Sequence, residues 1–373
     1  MTLVSRWASR IARTFPLTLL VAVVVFSAIT ASAQTVIPAQ YPVTESDYIA
    51  HDFKFKSGEQ LPFLKLHYRT LGQPQRDAQG QVTNAVLILH GTGGSGQNFL
   101  GPQFAGELFG PGQLLDINRY FIILPDGIGH GKSSKPSDAM HAHFPHYDYD
   151  DMVAAQHLLV TEGLGIQHLR LIFGTSMGCM HSFVWGETYP NFMDALMPMA
   201  CLPAQIAGRN RLWRKMLIDA IRNDPAYQDG EYKTEPKDGL RTAEDLLVIA
   251  GSAPLVMQKS FSTSDAADKY ADTLDQRAAA LDANDLIYQV SASRNYDPSP
   301  QLENITVPVM WINSADDFIN PPELAIAEKQ APRLKNGTFI LLPISDLTHG
   351  HGTHTWAVAW QSYLKQLLDK SAH

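Results

Sequence analysis

The feature that narrows the choice of fold furthest is an alternation of short apolar runs with segments of helical spacing. Six mostly apolar runs are bounded by turn residues, at 85–89, 120–124, 169–173, 195–199, 307–312 and 338–342. Such runs are typical of strands that are buried on both faces of a sheet. Segments with helical spacing lie between or after them, at 150–161, 177–187, 322–330 and 355–369. The alternation predicts an α/β fold, in which helices cover a mostly parallel sheet.

Two further patterns refine this architecture. Apolar and polar residues alternate in two segments that we expect to form an antiparallel edge hairpin, at 52–56 and 64–68. Between about 203 and 300 no strand-like run is evident, and helical spacing occurs at 211–221 and 243–250. We therefore predict a sheet domain built from 34–203 and 301–373, with a helical cap inserted at 204–300.

The first 33 residues have the features of a secretory signal peptide. Three arginines precede an uncharged run at 17–29, and Ala31-Ser-Ala33 supplies small residues at the cleavage positions. The alternative is an uncleaved membrane anchor, but a 13-residue run is short compared with the roughly 20 residues that span a bilayer. We expect an exported protein, periplasmic or extracellular, that has no membrane attachment after cleavage.

Charge and cysteine content exclude some classes of protein. Removing Arg6, Arg10 and Arg13 from the 29 basic residues leaves 26 against 37 acidic ones, a net charge of −11. Such a chain is not expected to bind nucleic acid. Cys179 and Cys201 are the only cysteines, so the fold does not depend on a disulfide framework. We expect each cysteine to act as a small buried hydrophobic residue, with one bridge between them as the alternative.

The pentapeptide Gly174-Thr-Ser-Met-Gly178 lies between a predicted strand and a predicted helix. It matches the nucleophile elbow Gly-x-Ser-x-Gly, in which glycines leave room for a tight turn that exposes the serine hydroxyl. The pattern alone also occurs by chance or as a helix cap. Its position between strand and helix favours Ser176 as a catalytic nucleophile.

A serine nucleophile needs a histidine base and a carboxylate that orients this base, in the chain order Ser, Asp, His. Asp317 follows the predicted strand at 307–312, and Asp316 is the alternative acid. After the last predicted strand, the segment at 348–354 contains three histidines. We predict His351 as the base, with His349 and His354 as the competing candidates.

Acyl transfer also requires donors for the oxyanion of the tetrahedral intermediate, each contributing on the order of 3 kcal/mol. His90-Gly-Thr-Gly-Gly94 directly follows the predicted strand at 85–89, where the second donor loop of such an enzyme belongs. We therefore predict that the backbone N–H groups of Met177 and Thr92 form the oxyanion hole.

Three other segments suggest ligand sites that we do not favour. The histidines at 349–354 and those at 141–146 are candidate metal ligands, but the first group lacks a carboxylate at ligand spacing and the second suits a pocket mouth or surface. The segment at 127–133 resembles a phosphate loop, but its spacing places Asp126 where the first glycine is required. We expect neither a metal nor a cofactor.

Six blocks of the sequence together resemble the homoserine O-acetyltransferase family and its secreted hydrolase-like relatives. They lie at 110–121, 151–156, 174–178, 220–225, 281–288 and 349–351. The resemblance implies an α/β-hydrolase fold, with a mostly parallel eight-stranded sheet and an inserted helical cap. Ser176, Asp317 and His351 match the positions of the family's catalytic triad.

Two positions depart from the family pattern. Family acetyltransferases usually have an aspartate after the catalytic histidine, which helps hold the substrate ammonium group, and an arginine associated with the substrate carboxylate. Here these positions are Gly352 and Ile218. We therefore predict a secreted serine hydrolase that cleaves an ester through an acyl-Ser176 intermediate, with an amide or a lactone as the less favoured substrate classes. The alternative is an O-acyltransferase of the homoserine O-acetyltransferase type, and a homodimer through the cap is a further expectation.

Overall fold

The computed structural model describes residues 41–372, so the predicted signal peptide at 1–33 lies outside the described residues. An eight-stranded sheet has the strand order β1-β2-β4-β3-β5-β6-β7-β8. Its strands are β1 Thr44–Lys54, β2 Gln60–Leu71, β3 Ala85–Leu89, β4 Phe121–Pro125, β5 Leu171–Thr175, β6 Leu196–Met199, β7 Val309–Ser314 and β8 Gly337–Leu342. The predicted eight-stranded sheet is confirmed.

Strands β3 to β8 are parallel to one another, whereas β1 and β2 form an antiparallel hairpin at one edge. β2 also pairs antiparallel with β4. The six predicted strands are all present, with ends that differ by up to two residues. β7, for example, begins at Val309 and not at residue 307, because Pro308 has no N–H to donate to a neighbouring strand.

Helices cover both faces of the sheet. They are α1 Ala105–Leu108, α2 Tyr149–Leu158, α3 Met177–Thr188, α4 Gly208–Asn223, α5 Lys237–Gly251, α6 Pro254–Ser260, α7 Ser264–Asp272, α8 Leu274–Ala278, α9 Ala283–Ser291, α10 Ile326–Gln330 and α11 Gln361–Lys370. The helix predicted at 355–369 is wrong in its first six residues. There the N–H of Ala357 donates to the carbonyl of Gln103, 3.0 Å away, so the backbone is tied to a loop and the α-helix begins only at Gln361.

Side chains of the central strands point alternately to the two faces of the sheet, so the core has two layers. In β3, Ala85, Leu87 and Leu89 belong to the apolar cluster on one face. Val86 and Ile88 belong to the cluster on the other face. Since side chains of a strand point alternately to its two faces, this strand is buried on both sides, as its continuous apolar run predicts.

Between β6 and β7 the described chain is helical, from α4 to α9, and it contains no strand. These helices enclose an apolar cluster of their own around Trp213, Leu217 and Ile221. Exposed apolar side chains remain on their outer surface, including Leu212 and Met216 on α4. Domain boundaries at 204 and 300 and a homodimer through this segment stay predictions. Among residues 41–372, no helix combines the length and apolar character needed to cross a bilayer.

Candidate active site

Ser176 lies in the turn between β5 and α3 with a backbone conformation of φ 54° and ψ −109°. Residues other than glycine rarely adopt positive φ, and such strain persists where surrounding structure enforces it. Here the N–H of Ser176 donates to the carbonyl of Met199, 2.8 Å away. The N–H of Gly178 donates to the carbonyl of His90 at 3.0 Å. Hydrogen bonds on both sides of Ser176 therefore hold the turn.

The two glycines of the pentapeptide are required by close backbone contacts. A Cβ at Gly174 would lie 1.9 Å from the carbonyl oxygen of Gly178. A Cβ at Gly178 would lie 2.1 Å from the carbonyl oxygen of Leu89. Neither position can accept a side chain without a shift of the backbone, which is the physical reason for the Gly-x-Ser-x-Gly spacing.

The structure brings together the three predicted triad residues. Nε2 of His351 lies 2.8 Å from Oγ of Ser176, and Nδ1 of the same ring lies 2.9 Å from Oδ2 of Asp317. The serine hydroxyl can thus donate to one ring nitrogen while the other nitrogen donates to the carboxylate. This hydrogen-bonded arrangement of serine, histidine and aspartate is the one that a serine nucleophile requires. The catalytic role of the three residues stays a prediction.

Asp317 is buried at 2% exposure and held by several donors. The N–H of Ile319 lies 2.8 Å from its Oδ1, and Nδ2 of Asn320 lies 2.9 Å from its Oδ2. Burial by itself raises the pKa of this carboxyl group, but the His351 ring and the hydrogen bonds from Asn320 and Ile319 outweigh it, so the pKa lies below its usual 3.8. The carboxylate is therefore ionised at neutral pH.

The competing acid and histidines occupy supporting positions. Asp316 accepts hydrogen bonds from the Ser314 hydroxyl and from the N–H of Gly350, so it fixes the loop that carries His351. The His349 ring stacks on Trp356 with 4.0 Å between ring centroids. His354 packs edge-on against His351, and burial lowers its pKa to about 3. Neither histidine occupies the position between Ser176 and Asp317.

The predicted oxyanion loop lies directly against the elbow. A Cβ built at Gly91 would lie 3.2 Å from Cβ of Ser176. Met177 is the first residue of α3, so its N–H has no carbonyl within the helix to bond. Among backbone hydrogen bonds of the described loops, none is donated by the N–H of Thr92. Both donors are thus available near the serine, and their role in an oxyanion hole stays a prediction.

Cys179 and Cys201 form a disulfide in the structure, so the expectation of two separate buried thiols is wrong and the alternative, one bridge, is what the structure has. Cys179 is in the first turn of α3, three residues after Ser176, and Cys201 follows β6. The carbonyl of Cys201 also accepts hydrogen bonds from Trp311 Nε1 and Asn313 Nδ2. The bridge therefore connects the nucleophile helix to the carboxyl ends of β6 and β7.

A cavity of about 770 Å³ borders the triad acid. Met180 and Leu202 lie on one side of it, Phe318 and Leu324 on another, and Asn210 contributes from α4. Most of these side chains are apolar, as expected of a site for a small organic molecule. The polar residues of α4 at this cavity were not predicted as site residues.

The two positions that depart from the family pattern differ in their surroundings. A Cβ at Gly352 would meet no atom within 4 Å, so this position has space for a side chain but supplies no charge. Ile218 is buried in the apolar cluster of the helical segment. One helical turn before it, Arg214 is also buried, at 3% exposure. The sequence signal that could have identified Arg214 is a basic residue on the otherwise apolar face of α4.

Within residues 41–372, no group of three or more histidine, cysteine, aspartate or glutamate side chains is arranged to hold a metal ion.

Comparisons with known proteins agree with this fold. A model of the alpha/beta hydrolase fold matches residues 84–344. A probable acyltransferase of Methanothermobacter thermautotrophicus is 30% identical, over 77% of this chain and 85% of that protein. The homoserine O-acetyltransferase of Pelobacter propionicus is 29% identical, over 74% of this chain and 83% of that protein.

A solved structure shares the fold at lower sequence identity. The acetylester hydrolase of Corynebacterium glutamicum superimposes with a TM-score of 0.76 at 21% identity, covering 87% of this chain and 96% of that one. The resemblance to homoserine O-acetyltransferases that the sequence blocks indicate is confirmed by the curated relatives. This chain, an enzyme with esterase and acyltransferase relatives, belongs to the α/β-hydrolase fold family.

Proposed function

We propose that the protein moves an acyl group from a small ester through an acyl-Ser176 intermediate to an oxygen nucleophile. An alcohol is the principal acceptor in this proposal, and water is the competing one. The observation that carries the proposal is the pair of contacts at His351, 2.8 Å to Ser176 and 2.9 Å to Asp317. A histidine base placed in this way activates a hydroxyl group for attack on a carbonyl carbon.

In the first half-reaction, Nε2 of His351 takes the proton of Ser176 as Oγ attacks the ester carbonyl. The resulting oxyanion faces the N–H groups of Met177 and Thr92. As the intermediate collapses, the bond to the alcohol oxygen breaks and His351 returns the proton to that leaving group. The second half-reaction reverses these steps with an incoming hydroxyl group, and Asp317 stabilises the imidazolium ion in both halves.

Sequence relatives support an alcohol as the acceptor. The probable acyltransferase and the homoserine O-acetyltransferase each align with about three quarters of this chain. Ester hydrolysis, which we predict from the sequence, is the second candidate. It is supported by Gly352 and Ile218, because neither residue supplies a charge for an amino-acid acceptor.

We further propose that the protein is exported. The predicted signal peptide motivates this proposal, and the disulfide between Cys179 and Cys201 supports it, since disulfides persist in oxidising compartments. An exported enzyme would use an ester as its acyl donor, because acetyl-CoA is a cytoplasmic donor. N-terminal sequencing of the secreted protein should then begin at or close to Gln34, whereas intact chain in the membrane fraction would favour an anchor.

The proposal is tested by incubating purified protein with p-nitrophenyl acetate and a panel of alcohols that includes homoserine. Acetylated alcohols and free acetate are then quantified by chromatography and mass spectrometry. We expect at least one alcohol to accept the acetyl group in competition with water. Homoserine should be a poor acceptor, at least about a hundredfold below hydrolysis, which corresponds to about 2.7 kcal/mol. If acetate were the sole product with every alcohol, the proposal of acyl transfer would be wrong and ester hydrolysis would take its place.

A further inference from the structure

Three consecutive residues at the carboxyl end of β6 are hydrogen-bonded to both sides of the candidate triad. They are Met199, Ala200 and Cys201, and we call them the 199–201 segment. The carbonyl of Met199 accepts a hydrogen bond from the N–H of Ser176 at 2.8 Å. The carbonyl of Ala200 accepts one from Nδ2 of Asn320 at 3.0 Å. The segment therefore contacts the turn of the nucleophile on one side and the loop of the triad acid on the other.

Asn320 connects the 199–201 segment to the carboxylate of Asp317. Asn320 is buried, at 5% exposure, and its Nδ2 lies 3.0 Å from the carbonyl oxygen of Ala200 and 2.9 Å from Oδ2 of Asp317. Because an amide nitrogen has two N–H groups, it can donate to both acceptors at once. Oδ2 is also the oxygen that lies 2.9 Å from Nδ1 of His351. One buried amide group thus fixes the reacting carboxylate oxygen relative to the end of β6.

The disulfide holds the same segment from the side of α3. Both of its cysteines are buried, Cys179 at 0% and Cys201 at 1% exposure. Cys179 follows Ser176 by three residues at the start of α3, and Cys201 directly follows Ala200. A covalent bond between these two cysteines restricts movement of the 199–201 segment relative to the helix that begins at the nucleophile. The segment is therefore tied to the nucleophile by one hydrogen bond and one covalent bond.

The backbone of the 199–201 segment has a conformation that costs free energy. Ala200 has a φ of 64°, which residues other than glycine rarely adopt. Its N–H donates to the carbonyl of Ile312 at 2.9 Å, and its carbonyl accepts the bond from Asn320. Such a conformation persists only where surrounding contacts enforce it. Loss of the Asn320 amide or of the disulfide should therefore allow the segment to relax and to shift the triad residues that it holds.

We propose that Asn320 and the disulfide are positioning groups of the triad. Acting through the 199–201 segment, they keep the carboxylate of Asp317 and the hydroxyl of Ser176 at the two nitrogens of the His351 ring. A shift of about 1 Å in a reacting group can cost on the order of a hundredfold in rate. The turnover rate therefore depends on groups that take no part in the proton transfers. The proposal rests on the proposed acyl transfer at Ser176.

Three variants test the role of Asn320 with p-nitrophenyl acetate as substrate. Asn320→Leu keeps the branched shape but removes the donor, so kcat should fall by about tenfold or more with KM unchanged, since a hydrogen bond to a charged group contributes that much. Asn320→Gln keeps the amide and should restore part of the rate, because the position borders the cavity of about 770 Å³ and has room for a longer side chain. Asn336→Leu is the matched control. Nδ2 of this exposed residue also donates to a backbone carbonyl, that of Thr306, but near the amino ends of β7 and β8, so kcat should not change.

The double variant Cys179→Ala/Cys201→Ala tests the disulfide, and it is assayed well below its melting temperature so that lost stability does not lower the rate. Its kcat should fall by about threefold or more with KM unchanged, the scale on which coupled neighbours act. Because both groups act through one segment, adding Asn320→Leu should lower kcat by less than the product of the two separate factors. Multiplication of the two factors, or an unchanged kcat in either variant, would overturn the proposal.

A spectroscopic measurement separates this proposal from the proposed acyl transfer, because it needs no substrate. The proton between Nδ1 of His351 and the Asp317 carboxylate gives a far-downfield signal in proton NMR. We expect this signal to shift or broaden in Asn320→Leu and in the cysteine variant, and to stay in place in Asn336→Leu. Circular dichroism checks that the variants fold, and the Asn320 series decides the matter if the cysteine variant does not. Ester turnover with the signal and kcat unchanged in Asn320→Leu would refute the positioning proposal alone. A shifted signal in a protein that turns over no ester would refute acyl transfer alone.

Discussion

At the scale of single residues, the backbone conformation of Ser176 depends on atoms of neighbouring residues. Its positive φ is held by the hydrogen bond from its own N–H to the carbonyl of Met199 and by the bond from the N–H of Gly178 to the carbonyl of His90. The close packing that Gly174 and Gly178 permit also holds the turn. The hydroxyl group consequently stands at the carboxyl edge of the sheet, within hydrogen-bond distance of His351. Backbone strain here has a chemical use, because a relaxed turn would not present Oγ to the histidine ring.

Substitution of His351 and Asp317 tests whether these residues act together with Ser176 in catalysis. His351→Ala and Asp317→Asn should each lower kcat by several orders of magnitude, because the members of a triad act as a unit. Steady-state kinetics with p-nitrophenyl acetate measures the loss, and thermal unfolding checks that the fold remains. Asp316→Asn and His354→Ala are the neighbouring controls. If either control were the more damaging change, the assignment of acid or base would be wrong.

At the scale of secondary-structure elements, the strands and the elbow were predictable from local patterns. A continuous apolar run such as Ala85–Leu89 has one stable environment, a strand buried on both faces, so its position follows from the sequence. The start of α11 was not predictable in the same way. It depends on the tertiary hydrogen bond between Ala357 and Gln103, which no periodicity in the sequence indicates.

The disulfide at the start of α3 should stabilise the fold. Cys179 and Cys201 are separated by 22 residues, and closing a loop of this length contributes about 3 kcal/mol through the unfolded state. The double variant Cys179→Ala/Cys201→Ala should therefore lose about that free energy of unfolding, measured by denaturant titration. Wild-type protein in reducing agent provides the matched comparison. A loss below about 0.5 kcal/mol would show that the bridge is dispensable for stability.

At the other end of α3, Glu187 predicts a pH-dependent stability. Burial, and to a lesser extent the charges of Asp150 and Asp297, raise its pKa from 4.5 to about 8, and its Oε2 has no hydrogen-bond partner. The folded protein therefore binds a proton that the unfolded chain releases above about 4.5, so this contribution is fully present below pH 4.5 and is lost as pH rises to about 8.

Glu187→Gln keeps the neutral shape and removes this titration. We expect its melting temperature, relative to wild type, to rise from pH 5 to pH 8 and then to level off. Glu328→Gln, at an exposed position, is the control. A difference between Glu187→Gln and wild type that is independent of pH over this range would contradict the assignment.

At the scale of the whole molecule, the reacting residues come from distant parts of the sequence. Ser176, Asp317 and His351 follow three parallel strands, and the carboxyl ends of parallel strands meet at one edge of the sheet. This convergence explains why motif and strand order together could predict the candidate triad. Arg214 could not be predicted in this way, because its place beside Thr92 and Tyr149 depends on how α4 packs over that edge.

The central claim is that Ser176 carries the acyl group, and the most direct test is to trap the acyl-enzyme. Wild-type protein is mixed with p-nitrophenyl acetate, quenched in acid within the first turnover and analysed by intact-protein and peptide mass spectrometry. The account predicts one acetyl group, on the peptide that contains Ser176, and its loss when an acceptor alcohol is added before the quench. Unmodified protein during turnover, or acetyl on another residue that persists in Ser176→Ala, would contradict it.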